Sequence, residues 1–332
     1  MNNIAPPFQI TPNILQLSQV ISRALGMLSG AKLTPVPIKL RRENKIQAIH
    51  SSLGIEGNTL TLEQITHVLD GHKIIAAEKD IIEVQNAITV YDNLANWNPL
   101  SKKNFQQVHK LLLQNLTKQN GKWRSTGVGI FKGKAIAHMA PPANKVPELM
   151  LNLFAFLSNY KDIPWLIKAC VFHYELEFIH PFIDGNGRMG RLWQQLLLMQ
   201  EDPIFEFISV EPLIKNNQDQ YYKVLQKCDH AGNSTAFIEY TLQQILTVLQ
   251  QYTNTASTQV IGSQQRLEYA REHFTDQWLT RKQYLGLHKN ISTATASRDL
   301  SQGIQQGMLI KQGSNNKVCY QFTKSSPCSH AF

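Results

Sequence analysis

Cysteine is scarce in this chain. Four stand among the 332 residues, Cys170, Cys228, Cys319 and Cys328, and no two are spaced C-x-x-C. That count excludes a disulfide scaffold, and the spacing argues against a zinc or redox-cysteine motif. No stretch reaches the ~18 continuous apolar residues of a membrane span, so no membrane association is expected. Residues 1–10 lack a basic flank followed by an apolar run, so no signal peptide is expected either. A cytoplasmic, reducing setting fits best. Internal repeats and low-complexity tracts are also missing.

Acid is in shorter supply than base: 24 Asp plus Glu against 33 Lys plus Arg, a net charge of +9. This balance permits acidic partners such as nucleic acid or nucleotide phosphates, and equally a solvated basic surface. A 42% hydrophobic content belongs to a folded chain long enough for two or three domains.

Helical spacing of apolar residues dominates the pattern, so the fold class is mainly α. Helices are expected over 13–28, 40–53 (closed by Gly54 and Gly57), 61–69 (capped by Thr61), 78–94, 105–116, 146–157, 165–178, 188–199, 217–228 and 235–251. On 78–94 the apolar face reads Ile81, Val84, Ile88 and Tyr91. The run Gly127-Val128-Gly129-Ile130-Phe131-Lys132-Gly133-Lys134-Ala135-Ile136-Ala137-His138 is β-branched around Lys132-Gly133-Lys134 and reads as a hairpin. Residues 254–259 read as a linker. Beyond it come a helix over 280–285, a second capped by Ser292, and strands over 308–312 and 317–322. That order is the pattern of a winged helix. The domains are then 1–100, 101–253 and 254–332.

The segment His180-Pro-Phe-Ile-Asp184-Gly-Asn186-Gly187-Arg188-Met-Gly-Arg191 concentrates chemistry between two helices. Its glycines allow a sharp turn and close approach of backbone to a ligand. Asn186 or Gly187 would open the next helix, whose free N–H groups attract anions. Arg188 and Arg191 lie on one face of its start, where cations oppose the helix dipole. A compensating anion, such as a polyphosphate, would explain them. Asp184 could hold Mg²⁺, a hard cation suited to carboxylate and phosphate oxygens. His180 is the candidate general base.

This segment resembles the motif of the Fic family at every defining position. The resemblance spans about residues 40–250 and implies an α-helical core with a catalytic loop and a β-hairpin flap. It implies a protein adenylyltransferase that moves AMP from Mg-ATP to a Ser, Thr or Tyr hydroxyl of a target protein. His180 would take the hydroxyl proton and Asp184 would bind Mg²⁺. Asn186, Gly187 and Arg188 would hold the α- and β-phosphates, and Arg191 the γ-phosphate. Related Doc-type kinases carry lysine where this chain has Gly187, which favours AMP transfer. The hairpin from Gly127 to His138 resembles the flap that aligns an extended target by strand addition.

Upstream, Ser52-Leu-Gly-Ile-Glu56-Gly57 also has the form of a plain glycine-capped helix end. It resembles the inhibitory motif of many Fic proteins, which implies that Glu56 pairs with Arg191 and blocks the γ-phosphate position. Two alternatives stay open: removal of AMP from modified proteins, and a DNA-binding regulator that uses the core as a nucleotide sensor.

Residues 256–332 hold nine Lys plus Arg and four Asp plus Glu. Thr293, Thr295, Ser297 and Arg298 are the candidates to reach DNA bases or phosphates. Gly303 is expected to weaken that helix by about 1 kcal/mol relative to Ala. Protein contacts or a homodimer are the competing use of this module.

Overall fold

Helices make up most of the structure, as the apolar periodicity dictates. The computed structural model describes residues 5–30, 38–132, 135–258, 262–275, 277–288, 291–313 and 318–323. No helix among the described residues is long and apolar enough to cross a membrane. The chain divides into two compact units, Met1–Ala31 with Arg42–Asn254, and Lys32–Arg41 with Thr255–Phe332.

The first unit holds α1 (Pro12–Gly30), most of α2 (Ile38–Ile55), α3 (Leu62–Leu69), α4 (Glu78–Asp92) and α5 (Lys102–Leu112). A hairpin of β1 (Gly129–Lys132) and β2 (Ala135–Met139) follows. Then come α6 (Val146–Asn159), α7 (Trp165–Ile179), α8 (Asn186–Leu198), α9 (Glu211–Asn216), α10 (Gln218–Ala231) and most of α11 (Thr235–Thr258). The segment 254–258, expected as linker, continues α11 instead. Nothing in its Thr, Ala and Ser residues forbids another turn of helix.

Helices α7 and α8 form the centre, buried along nearly their whole length. Around them Phe105 of α5 contacts Trp193, Phe182, Phe154 and Phe172, with ring centroids 4.8, 5.6, 5.6 and 6.1 Å away. Such pairs add to the stabilisation from buried area. Phe182 belongs to the α7–α8 connection and is fully buried, so the aromatic core anchors that loop.

Helix α4 is turned relative to the face expected from its apolar residues. It buries Asp80, Glu83, Val84, Ala87 and Val90. The two acids are worth burying because each has partners. Asp80 accepts from the Thr59 amide and hydroxyl at 3.1 and 2.6 Å. Glu83 accepts from Asn58 at 2.9 Å and pairs with Arg188 at 3.3 Å.

The second unit contains α12 (Ser263–Phe274), β3 (Leu279–Thr280), α13 (Arg281–Leu287), α14 (Thr293–Gln305), β4 (Leu309–Gln312) and β5 (Cys319–Phe322). Its antiparallel sheet has the order β3-β5-β4. Helix α12 escapes the sequence reading, yet it supplies Leu267 and Ala270 to a core shared with Tyr284, Leu300 and Phe322. Arg266 and Asp299 form a bidentate pair at 2.6 and 2.7 Å that ties α12 to α14. Gly303 does not end α14. A Cβ there would lie 2.8 Å from Leu309 Cδ1 and 3.1 Å from Leu267 Cδ2, so glycine is what lets α12 and β4 pack close.

Leucine is the better helix former by about 1 kcal/mol, yet Gly303→Leu should destabilise this unit by about 1–3 kcal/mol through overpacking. Hydrogen exchange of the α14 amides in the full-length chain reads the effect. Slower exchange in the variant would contradict the packing argument.

Candidate functional site

The site begins where α2 stops. Gly57 adopts φ +93°, and the Gly57 and Asn58 amides donate to the Gly54 and Leu53 carbonyls at 3.2 and 3.1 Å. This double closure is a glycine-dependent helix end, and it leaves Glu56 as the last side chain before the turn. The Glu56 carboxylate lies 2.7 Å from Arg191 Nη2. A Cβ on Gly187 would come within 2.5 Å of the same carboxylate oxygen. Glu56 thus rests against the first turn of α8, where unsatisfied N–H groups carry partial positive charge. The helix-end reading and the ion-pair reading of Ser52 to Gly57 describe one structure.

The α7–α8 loop is held from several sides. His180 closes α7 in the left-handed conformation, φ 49° and ψ 61°, its amide donating to Leu176 at 2.9 Å. Left-handed backbone is uncommon for a residue with a side chain. Asn186 uses its whole side-chain amide on the Phe182 backbone, accepting from its N–H and donating to its carbonyl, both at 2.9 Å. What Asn186 offers an anion is therefore its backbone N–H. Gly185, at φ +82°, has no room for a Cβ beside Leu113. His109 stacks on Phe182 with centroids 3.5 Å apart. Its Nδ1 accepts from the Gly121 amide at 2.7 Å, which leaves Nε2–H to donate to the Asp184 carbonyl at 2.9 Å. Burial, above all, lowers its pKa to about 4, so it stays a neutral strut.

Both motif arginines are buried, and both are already neutralised. The anions beside them in this structure are carboxylates of the chain, among them the Glu56 expected at Arg191. Arg188 pairs with Glu83 at 3.3 Å and Asp184 at 3.0 Å. Its buried Nε has no acceptor among the described residues. Arg191 meets Glu56, the Ser52 carbonyl at 3.0 Å, and Glu211 at 4.0 Å. Burial opposes the Arg191 charge, but Glu56, Tyr221 and Glu211 more than offset it and hold its pKa above the ordinary value. Glu211 is fixed by Tyr91 at 3.0 Å and Ser209 at 3.1 Å. Burial raises the Glu211 pKa, with Arg191 and its hydrogen bonds pulling the other way.

The exposures separate these acids. Side-chain exposure is 1% for Glu211, 6% for Glu83, 29% for Glu56 and 59% for Asp184. Glu56 and Asp184 can exchange partners with solvent or ligand, whereas Glu83 and Glu211 cannot without exposing a buried charge. Asp184 accepts from the Gly185 amide and Arg188 through one oxygen, Oδ1. Its exposed carboxylate suits Mg²⁺, which takes one or two carboxylates and otherwise phosphate and water. No cluster of three or more metal-binding side chains occurs among the described residues.

The hairpin pairs Gly129 with Met139 and Lys132 with Ala135, with a bulge after Ile130 that leaves Ala137 unpaired. Gly133 and Lys134, expected at its turn, lie outside the described residues. Sequence reasoning missed Glu83, His109, Arg124 and Glu211. For Glu83 a signal existed, an acid on the same helical stripe as Val84, Ala87 and Val90. The others carry no local signature.

The Fic/DOC family pattern matches residues 99–198. A crystal structure of a Fic family protein from Desulfovibrio desulfuricans G20 is similar over 97% of this chain and 99% of that one, at 35% identity and a TM-score of 0.72. The protein adenylyltransferase Fic of Drosophila grimshawi is 29% identical over 215 residues, 61% of this chain and 41% of that protein. Its counterpart in Nematostella vectensis is 27% identical over 281 residues, 79% and 62% respectively. The chain thus spans between about two fifths and three fifths of these curated relatives. Taken with the loop geometry, this likeness shows that the chain belongs to the Fic family.

Proposed function

We propose that this protein transfers AMP from Mg-ATP to a Ser, Thr or Tyr hydroxyl of a target protein and is held back by Glu56. The observation that carries the reading is the Glu56–Arg191 pair, 2.7 Å long and seated on the first turn of α8. A helix start flanked by two arginines is an anion site, and here a partly exposed carboxylate of the chain sits in it. The named adenylyltransferase relatives support the reaction class.

In the active state Glu56 withdraws, and Arg191 turns to the γ-phosphate. The first-turn N–H groups of α8, with Arg188, hold the α- and β-phosphates. Asp184 leaves Arg188 and offers its carboxylate to Mg²⁺. When bound, the metal offsets phosphate charge. His180 accepts the proton of the target hydroxyl. The oxygen bonds to the α-phosphorus, the bond from that phosphorus to the β-phosphate oxygen breaks, and pyrophosphate carries away the electron pair. Little covalent work falls to the protein, so rate comes from positioning and charge stabilisation.

The second unit reads as a winged helix that contacts DNA. Its support is the helix–strand–helix–helix–strand–strand order and an exposed polar helix start. Thr293 and Arg298 are exposed, Arg298 lies 3.5 Å from Thr295, and Arg281 donates to Ser297 at 3.1 Å. The one acid of that turn, Asp299, is buried against Arg266.

Glu56→Gly should raise the initial rate of AMP transfer from labelled ATP; if the closed pair is favoured by about 2.7 kcal/mol, the gain is roughly a hundredfold. Arg191→Ala should not activate, and added to Glu56→Gly it should erase the gain, because the phosphate ligand is lost too. A folded, ATP-binding Glu56→Gly no faster than the parent would sink autoinhibition. In the released background, His180→Ala should cost about 10²–10⁴ in rate with nucleotide binding retained; an unchanged rate would remove His180 as base. Arg298→Ala should weaken duplex DNA binding and reduce its salt slope by about 1. Absence of binding at low salt would assign the module to protein contacts.

A further inference from the structure

Arg124 is a buried cation with no carboxylate partner among the described residues. Such a group is costly unless its donors are all used, and here they converge on one junction. Nε donates to the His180 carbonyl at 2.7 Å and Nη2 to the Ile179 carbonyl at 3.2 Å. Nη1 donates to the Thr126 carbonyl at 3.0 Å, and Nη2 also to the Pro141 carbonyl. The Arg124 amide donates to the Pro181 carbonyl at 2.9 Å.

These acceptors belong to two parts of the site. Ile179 and His180 end α7, where a cation is favoured by the helix dipole. Thr126 and Pro141 flank the hairpin on its two sides, just before β1 and just after β2. One guanidinium therefore holds both feet of the hairpin and the backbone of the strained His180. Its neighbours complete the clasp. Trp123 packs on Phe182 with centroids 4.9 Å apart, and Gly121 donates to the His109 that holds the Asp184 carbonyl.

We propose that Arg124 is the positioning residue that sets the distance between a target segment docked on the hairpin and the ring of His180. This rests on the adenylyltransferase reading for its chemistry and on the clasp geometry for its mechanics. Lysine cannot replace it, because one ammonium lacks the planar fork that reaches carbonyls on both sides. Arg124 does not touch the phosphate-binding turn of α8, so nucleotide affinity should not depend on it.

The test uses full-length Glu56→Gly with and without Arg124→Lys. Hydrogen–deuterium exchange should rise together in the hairpin strands and the 180–185 loop, with α8 unchanged. Affinity for a non-hydrolysable ATP analogue should stay within about twofold. Transfer of label from α-labelled ATP to lysate protein should fall by about 10²-fold, the cost of a misplacement near 1 Å. Exchange that rises in the loop alone, or a loss of nucleotide affinity equal to the loss of transfer, would overturn the coupling and leave Arg124 a general stabiliser. If the parent transfers no label while the paired exchange effect is present, the reaction reading fails and the clasp stands.

Discussion

Everything at this site depends on keeping a buried guanidinium neutralised. Arg191 is sealed at the start of α8, where the helix dipole and the low local dielectric both disfavour a cation. A counter-anion must always be present. The chain supplies a fixed one, Glu211, clamped by Tyr91 and Ser209, and a replaceable one, Glu56, on the end of α2. Arg188 repeats the arrangement with buried Glu83 and exposed Asp184. Each arginine thus has one buried acid beside it and one more exposed acid. On the proposed reading, release of Glu56 would leave Arg191 held by Glu211 and short of one anion, the place proposed for a γ-phosphate.

Positioning of the loop is a separate task, performed mostly by neutral groups. Phe182 enters the aromatic core, the Asn186 amide closes a ring on the Phe182 backbone, and His109 bridges Gly121 to Asp184. Arg124 adds the link to the hairpin. Gly187 connects the two tasks, since any side chain there would strike the Glu56 carboxylate.

The sequence made the helices, the hairpin and the motif loop legible, because these rest on local periodicity, turn glycines and a dense motif, whereas the Glu56–Arg191 pair was implied only by the family resemblance. It hid what tertiary packing decides. Helix α4 turned by about a residue to bury Asp80 and Glu83, against its apolar pattern. Gly303 looked like a helix weakener and instead makes room for Leu267 and Leu309. Arg124 and Glu211 lie far from the motif in sequence, and their partners are backbone carbonyls or distant side chains that no local pattern announces. The two arginines called for a compensating anion, but nothing in the motif announced that Glu83, Glu211 and Asp184 stand beside them as well as Glu56.

The central claim is that Glu56 fills the place of the γ-phosphate on Arg191 while Glu211 keeps that arginine in position. A crystal structure of Glu56→Gly with Mg²⁺ and a non-hydrolysable ATP analogue tests it most directly. The account predicts a γ-phosphate oxygen about 2.7–2.9 Å from the Arg191 guanidinium, the spacing of a charge-assisted bond, with Glu211 still beside it. A γ-phosphate bound elsewhere, with Arg191 collapsed onto Glu211, would contradict it.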